Sequence, residues 1–197
     1  MACSVRYRTE VAERKRLTAR DWTVAALAAL AEGGIAAVAV EPLAARLGAT
    51  KGSFYWHFAS RDALLEAALQ EWERTDTEEV IALVETEPEV RRRLRKLLAV
   101  ALGSRSSDRI ELALQATARH PLVAPVLARV TERRLGYLTD QFAALGFPPE
   151  QARQRSLLAY TAYLGHAQLA HATPEAAPAA DGLPAYVDAV IATLTAR

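Results

Sequence analysis

Hydrophobic residues recur with helical spacing along most of the chain, and no segment shows the alternation of a β-strand. The first series begins after Thr18, a suitable N-cap residue, and runs from Trp22 to Leu30 until Gly33 and Gly34 interrupt it. This pattern predicts a first helix that ends at the glycine pair.

Two short helices are predicted next. In "EPLAARLG", Pro42 is compatible only with a first helical turn, and Gly48 suits a left-handed C-cap. Thr50 then offers its hydroxyl as a cap to the segment "KGSFYWHF". A helix, a tight glycine turn and a second helix form the arrangement that places a recognition helix in the major groove of DNA.

The rest of the chain predicts longer helices with short breaks. Ser60 caps a helical pattern that continues to about residue 85, and "TPEAAPAADGLP" is rich in proline and alanine, which indicates a loop. The pattern therefore predicts an all-α protein of about nine helices. The remaining helices are expected at 88–102, 109–119, 121–145, 150–171 and from 183 onward.

Composition narrows the class of protein. The 197 residues are 51% hydrophobic and 24% charged, which is typical of a globular chain with a substantial core. The longest apolar runs are too short to span a bilayer, and the first residues lack the apolar segment of a secretion signal. We therefore expect a cytoplasmic protein that does not enter a membrane.

The stretch "ATKGSFYWHF", residues 49–58, contains more neighbouring rings than one helix face can bury. Phe54 and Phe58 are one turn apart and can both face the core. Tyr55, Trp56 and His57 must then point elsewhere, and exposed rings beside a lysine and a glycine favour contact with a partner over a role in the core. Tyrosine and histidine can donate hydrogen bonds to phosphate oxygens.

Residues 17–65 closely resemble the N-terminal DNA-binding domain of TetR-family transcriptional regulators. The resemblance rests on an ordered set of motifs: a first helix that ends in Gly-Gly, Leu-Ala before Leu-Gly, the run Gly-Ser-Phe-Tyr-Trp-His-Phe, and then Ser-Arg-Asp-x-Leu-Leu. It implies a three-helix helix-turn-helix domain at residues 1–60, with a basic N-terminal arm. It also implies a helical ligand-binding and dimerisation domain at residues 61–197.

The same resemblance implies a set of DNA contacts. Tyr55 and His57 would contact phosphate, Trp56 would face the edge of the groove, and Arg61 would take the place of a phosphate-binding lysine. One departure is Ala39, where the family has a Thr or Ser that caps the second helix, and loss of such a cap costs about 1 kcal/mol. The complete implied set is Thr50, Lys51, Gly52, Ser53, Tyr55, Trp56, His57 and Arg61.

Charge is distributed unevenly, although the net charge is only +1. Residues 1–60 contain eight Lys or Arg and five Asp or Glu. The basic arm, residues 6–20, has two interpretations: contact with the DNA backbone or minor groove, and a solvated tail. A second basic run, "RRRLRKLL" at 91–98, has leucines on one face and lies near several glutamates, which predicts a solvated, ion-paired helix face.

A recognition helix this short reads few bases, which favours a homodimer that reads two half-sites of double-stranded DNA. The helix 150–171 is apolar on two sides, and the last helix has an apolar stripe. TetR relatives dimerise through their last two helices, so the resemblance implies an interface here, and packing within one protomer is the alternative. The predicted interface residues are Leu157, Leu164, Tyr186, Val187, Val190, Ile191 and Leu194.

The family also implies a pocket for a small-molecule effector among the helices between 88 and 145. A few polar or aromatic groups among apolar ones are typical of such pockets, and ordinary core or surface positions are the alternative. The candidate ligand-binding residues are Gln115, Arg119, His120, Phe142, Tyr160, Tyr163 and His166.

The resulting hypothesis is a sequence-specific DNA-binding regulator, namely a repressor that leaves a palindromic operator when an effector binds. The alternative is a ligand-independent regulator whose C-terminal half only dimerises or recruits a protein partner, which would have an apolar core without a cavity. The sequence contains no phosphate-binding glycine loop, nucleophile elbow or HExxH motif, and His166 and His171 are poorly spaced for a metal. We therefore predict no catalytic site, metal or cofactor.

Overall fold

Ten α-helical segments make up the computed structural model, which describes residues 17–103 and 105–196. They are α1 (Ala19–Ala37), α2 (Val40–Arg46), α3 (Lys51–Tyr55), α4 (Arg61–Glu73), α5 (Glu79–Glu85), α6 (Val90–Gly103), α7 (Arg105–Ala116), α8 (Val123–Ala144), α9 (Pro149–Ala172) and α10 (Leu183–Leu194).

A π-helical turn, Arg74–Glu78, joins α4 to α5 in one continuous rod. The described residues therefore form nine separate α-helical rods and no strand, which confirms the predicted fold. Within the same ranges, every helix lacks either the length or the apolar character that a membrane crossing requires. The basic arm predicted at 6–20 lies outside the described residues, except for its last four positions.

Caps and glycines delimit the first two helices. Thr18 and Asp21 form a reciprocal capping box at the start of α1: the Thr18 hydroxyl accepts from the Asp21 amide at 3.3 Å, and the Thr18 amide donates to the Asp21 carboxylate at 2.7 Å. The backbone of α1 leaves the helical conformation at Gly33 and Gly34, where Gly34 has a φ of +65°. Gly48 follows α2 with a φ of +62°, a conformation that favours glycine. Both glycine stops are therefore confirmed.

The first of two large cores is built around aromatic side chains of the N-terminal helices. Trp22 of α1, Phe54 of α3 and Trp72 of α4 are buried, and the Trp22 and Phe54 rings meet edge to face with 5.3 Å between centroids. The same cluster continues to Leu114 of α7 and Val130 of α8. Packing is thus continuous across residues 60 and 61, and the domain boundary predicted there stays a prediction.

The second core lies among α6, α8, α9 and α10. Leu94 and Leu98 of α6 and Phe142 of α8 are buried in it. On the exposed side of α6, Arg95 Nε lies 2.5 Å from Asp188 Oδ1 of α10. The basic run at 91–98 is therefore an ion-paired helix face, as predicted.

Candidate DNA-binding surface and internal cavity

The aromatic run at 54–58 divides between the core and the surface. Phe54 is fully buried, and the Phe58 ring stacks on it with 5.7 Å between centroids. Trp56 is 88% exposed and Tyr55 is 54% exposed, although large aromatic side chains are ordinarily buried. The end of α3 therefore presents two large rings to the outside of the molecule.

Thr50 and Gly52 shape the start of α3. The Thr50 hydroxyl accepts from the Ser53 amide at 3.2 Å and caps the helix. A Cβ atom placed on Gly52 would meet the Thr50 hydroxyl at 3.7 Å, an ordinary contact distance, and no other described atom within 4 Å. The fold leaves room for a side chain at Gly52 and does not itself require glycine. This open surface allows another backbone, such as that of DNA, to approach α3 closely. Ser53 and His57 are half-buried in the same segment.

Lys51, the cation of α3, is already paired within the protein. Its Nζ atom lies 2.9 Å from Glu41 Oε1 of α2. This hydrogen bond raises the pKa of Lys51 and lowers the pKa of Glu41. Both side chains are largely exposed, so water screens the pair. Lys51 can exchange the carboxylate for a phosphate, but Glu41 then remains beside that phosphate.

The Arg61 guanidinium makes three hydrogen bonds within the protein, whereas the resemblance implies that it contacts a phosphate. Its Nε donates to the carbonyl oxygen of Val38 and its Nη2 to that of Ile35, each at 2.6 Å. Its Nη1 donates to the Asp62 carboxylate at 3.2 Å. These bonds use three of the five guanidinium N–H groups, which favours a structural role for Arg61 over the phosphate contact. Arg61 instead holds the start of α4 against the corner between α1 and α2.

The second helix lacks a side-chain cap, as the sequence predicts. Ala39 is the N-cap residue of α2, and no side-chain hydrogen bond caps this end. Glu41 in the first turn partly compensates, because a carboxylate there interacts favourably with the helix dipole.

An internal cavity of about 110 Å³ lies between the π-helical turn, α5, α6, α8 and α9. Aliphatic side chains make up most of its wall, and Tyr160 and Tyr163, two of the predicted ligand residues, also line it. Sequence reasoning missed Arg134 and Tyr137 of α8 and two residues of the π-helical turn, Asp76 and Thr77, which are the other polar residues of the wall. An apolar cavity with a few convergent polar groups is typical of a small-molecule site.

Arg134 is a buried, paired cation in this wall. Its Nη1 donates to Glu111 Oε2 at 2.8 Å, its Nε to the Thr77 hydroxyl at 3.0 Å and its Nη2 to the Asp76 carbonyl at 3.2 Å. The side chain of Arg134 is 14% exposed and that of Glu111 only 1%. Burial lowers the pKa of Arg134, but the nearby Glu111 carboxylate more than offsets this effect and the pKa lies above its ordinary value. The guanidinium also stacks over the Trp72 ring at 5.3 Å.

The π-helical turn determines which side chains of the α4–α5 rod face α8. Arg129 of α8 pairs with Glu73 at 2.5 Å, and one turn further along α8, Arg133 pairs with Glu78 at 3.0 Å. Residues five apart differ in direction by about 140° on an α-helix, so a regular helix would not present both glutamates to α8. The wider turn accommodates one extra residue and brings them to the same side. No proline or glycine in 74–78 signals this turn in the sequence.

Two predicted ligand residues are packing residues of the C-terminal core. Phe142 is fully buried, and its ring meets that of Phe147 with 6.2 Å between centroids. His166 is buried, its Nε2 lies 3.1 Å from the carbonyl oxygen of Leu102, and its ring stacks on Tyr186. Neither lines the cavity that Tyr160 and Tyr163 line, so the ordinary-core alternative describes them.

The other three predicted ligand residues lie nearer the surface. Gln115 borders a separate open groove and donates to Glu111 at 3.0 Å. Arg119 is exposed, and His120 stabilises the turn before α8, where its Nδ1 accepts from the Leu122 amide at 3.2 Å. The structure does not bring these residues into the cavity wall. Among the described residues, no group of three His, Cys, Asp or Glu side chains is arranged to hold a metal ion.

The predicted interface residues of α10 are mainly used within the protomer. Val187, Ile191 and Leu194 are buried and pack in the C-terminal core beside α6. They have little surface left for a partner, so packing within one protomer, the alternative that the sequence left open, describes them.

α9 carries the exposed apolar surface. Leu157 is 54% exposed, Leu158 is 59% exposed and Leu169 is 47% exposed, although each is a large apolar residue. This surface, defined by these three leucines, is called the α9 leucine surface below. The remaining predicted interface residues, Leu164, Tyr186 and Val190, are half-buried.

Comparisons with known proteins agree with this architecture. Residues 23–68 match the family of bacterial regulatory proteins named tetR, and this range includes most of α1 and extends into α4. The sequence matches none of the curated proteins.

Solved structures share the fold over nearly the whole chain. A transcriptional regulator from Rhodococcus sp. Rha1 is 20% identical with a TM-score of 0.75, and the match covers 90% of this chain and 96% of that chain. A TetR-like transcriptional regulator from Rhodococcus sp. RHA1 is 18% identical with a TM-score of 0.69, covering 90% and 96%. A protein from Saccharomonospora viridis, solved in complex with choline, is 17% identical with a TM-score of 0.76, covering 88% and 94%.

The helix-turn-helix head and the shared fold define the class of protein as a DNA-binding transcriptional regulator. Residues 23–68 thus match the N-terminal domain of the tetR family, and the chain as a whole shares the fold of a solved TetR-like regulator.

Proposed function

We propose that the protein is a homodimeric repressor that binds a palindromic operator and leaves it when a small molecule occupies the internal cavity. The observation that carries the DNA-binding part is the exposure of Tyr55 and Trp56 beside Lys51 and the open surface at Gly52. Lys51 and Tyr55 supply donors for phosphate, and Trp56 supplies an apolar face for the edge of the groove. We propose repression over activation only because the resemblance to TetR-family regulators implies it.

A second copy of the chain would cover the α9 leucine surface. Burying exposed leucines at a two-fold axis is favourable, because it removes apolar area from water. A two-fold dimer also supplies the second recognition helix, with the two copies of α3 about one DNA turn, roughly 34 Å, apart.

The position of the cavity supports control by an effector. Its wall includes Asp76 and Thr77, which belong to the rod that begins with α4 beside the recognition helix. An effector lowers DNA affinity only if it binds the DNA-incompetent arrangement more tightly. The ligand-independent alternative expects a C-terminal core without a cavity, so the observed cavity favours the effector. The choline complex of the Saccharomonospora viridis protein is a further reason to expect a small-molecule site in this fold.

Selection of bound duplexes from a random DNA library tests the DNA-binding part. The full chain at near-physiological salt is expected to enrich a palindrome, whereas a Lys51→Ala, Tyr55→Ala double variant is not. Arg92→Ala, which removes an exposed cation from α6, is the control and should enrich the same palindrome. Absence of enrichment at any salt, or equal enrichment by the double variant, would contradict the proposal.

Light scattering tests the dimer. Leu158→Lys places a charge in the α9 leucine surface and is expected to yield monomers that no longer bind the palindrome. Leu83→Lys is the matched control, because Leu83 is 49% exposed but lies on α5. A dimeric Leu158→Lys variant would place the interface elsewhere.

A further inference from the structure

We infer that the cavity takes a small, uncharged and mainly apolar molecule that carries a hydrogen-bond acceptor. This inference rests on the proposed effector function of the same cavity and names the chemical class of the effector. Three properties of the wall support it independently: its size, its charges and its hydrogen-bonding groups.

Size limits the ligand to roughly one ring. The cavity volume is about 110 Å³. An engineered apolar cavity of about 150 Å³ in another protein binds benzene. A molecule of about six to eight non-hydrogen atoms therefore matches this space, and two fused rings exceed it. Most of the wall is aliphatic, including Val80, Leu97 and Ala101, so most of the ligand surface must be apolar as well.

Arg134 does not offer a site for an anion. Each of its three guanidinium nitrogens already donates, to Glu111, to the Thr77 hydroxyl and to the Asp76 carbonyl. A carboxylate ligand could use only the two remaining N–H groups, and it would there share the guanidinium with the Glu111 carboxylate, which is 1% exposed and already balances its charge. The cavity is therefore expected to discriminate against anions.

A cation is disfavoured by the same guanidinium. Tyrosine faces bind cations, but the Tyr163 ring already lies 5.9 Å from Arg134 Cζ. A cationic ligand in the cavity would thus meet a like charge across the ring that should attract it. Asp76, the acidic residue of the wall, is balanced by Arg134, the basic residue of the same wall, so a ligand of either charge meets no net charge of opposite sign. With anions and cations both disfavoured, an uncharged ligand remains.

Tyr163 and Tyr137 each carry a hydroxyl donor that a neutral ligand can use, and the Tyr137 hydroxyl is buried without a hydrogen-bond partner among the described residues. The Tyr163 hydroxyl makes no hydrogen bond with any described residue, whereas the Tyr160 hydroxyl lies 3.4 Å from that of Thr131. Burial raises the pKa of Tyr163, so the phenol keeps its proton throughout the physiological range. A ligand oxygen that accepts from Tyr163 would give this hydroxyl a partner.

Three probes that each contain one saturated ring and lie within the size limit of about eight non-hydrogen atoms test the inference: cyclohexanone, cyclohexylammonium and cyclopentanecarboxylate. Calorimetry on the full chain is expected to show cyclohexanone binding at least about tenfold more tightly than either ion, because burial of an unpaired charge is unfavourable. Binding of either ion as tightly as cyclohexanone, or no binding of cyclohexanone, would overturn the inference.

Two variants locate the bound probe. Tyr163→Phe is expected to weaken cyclohexanone binding by about three- to tenfold, and Tyr186→Phe, at a half-buried tyrosine outside the cavity, should leave it unchanged. Ala101→Leu fills the cavity and should abolish binding, whereas Ala116→Leu at an exposed position should not. If Ala101→Leu does not fold, Ala101→Val serves in its place. Unchanged binding by the filled variant would place the probe elsewhere and contradict the inference.

Fluorescence anisotropy of a selected operator duplex separates this inference from the proposed repressor function. Release of DNA by cyclohexanone supports both. Binding of cyclohexanone without release leaves the ligand class standing and contradicts the effector-released repressor. Release by one of the ions, through the same cavity, supports the repressor and overturns the ligand class.

Discussion

The α3 surface and the cavity wall use aromatic side chains in opposite ways. At the end of α3, Tyr55 and Trp56 are adjacent in sequence and exposed. The sequence alone therefore already indicates that these rings contact a partner. In the cavity wall, Tyr160 and Tyr163 are largely withdrawn from water and meet Arg134 from another helix. A surface site is encoded by neighbours in the chain, whereas a cavity is encoded by the packing of several helices.

The ion pairs of the two sites also differ in exposure to water. The Lys51–Glu41 pair is exposed and screened, so a phosphate can replace Glu41 as the partner of Lys51, and water can solvate either side chain. The Arg134–Glu111 pair is buried, and neither ion can lose the other without a large penalty. We therefore expect substitutions in the cavity wall to change stability and substitutions at α3 to change DNA affinity.

The largest expected effect is on stability and comes from Arg134→Met. This change leaves Glu111 buried without its cation and should lower the free energy of unfolding by about 3–5 kcal/mol, measured by urea denaturation. The double variant Arg134→Met, Glu111→Leu removes both charges and should be more stable than the single variant. A double variant that is no better than the single one would show that Arg134 acts through Thr77 and Asp76 instead.

Arg61→Met tests whether Arg61 stabilises the helix-turn-helix domain or contacts DNA. Its bonds to the Val38 and Ile35 carbonyls predict a loss of about 1–3 kcal/mol in the free energy of unfolding. The slope of DNA affinity against salt should stay unchanged, because no phosphate contact is lost. Arg92→Met, at an exposed cation, should change neither quantity. A salt slope reduced by about one unit in Arg61→Met would instead show that Arg61 contacts a phosphate, as the resemblance implies.

Gly52→Ala separates the needs of the fold from those of DNA. The open space at Gly52 predicts an unchanged fold, stabilised by about 0.5–1 kcal/mol, together with about tenfold weaker operator binding if the DNA backbone approaches there. Gly48→Ala is the matched control, because its φ of +62° should make that change destabilising by about 1 kcal/mol. Normal operator affinity of Gly52→Ala in an anisotropy assay would argue against a close approach of DNA.

Glu41→Gln is expected to have the smallest effect, in the direction of tighter DNA binding. Removal of the carboxylate beside Lys51 takes away a repulsion with phosphate and should raise operator affinity about two- to threefold at low salt, with less effect at high salt. Glu150→Gln, at an exposed acid on α9, is the control. Weaker binding by Glu41→Gln would mean that Glu41 orients Lys51 for its contact.

Several features of the fold were predictable because their causes are local. Thr18, Gly34 and Gly48 act through their own backbone and nearest neighbours, so the predicted ends of the first helices are confirmed. The break predicted at 103–108 is narrower than expected, since α7 already begins at Arg105. The π-helical turn carries no local signal, and it is explained only by the pairing of Glu73 and Glu78 with α8.

In the candidate sites, too, features with local causes were predictable and features that depend on tertiary packing were not. The structure favours a structural role for Arg61, because residues 35 and 38 supply carbonyl oxygens that no sequence pattern places beside it, and the implied phosphate contact stays a prediction. Glu111 lies between apolar neighbours in "RIELALQ", one turn before the buried Leu114, which is a signal for a buried acid that requires a partner. That signal does not identify Arg134, which resembles any exposed arginine in "TERRLGY".

By itself the sequence determined the all-α class, the caps and glycine stops, and the cluster of residues at α3 that we propose contacts DNA, because each depends on residues close along the chain. The tertiary structure alone decided which tyrosines share a cavity with Arg134. It also decided that the apolar stripe of α10 is buried within the protomer and which leucines of α9 remain exposed. These outcomes depend on how helices distant in sequence pack together, and helical periodicity specifies a buried face without specifying the neighbour that covers it.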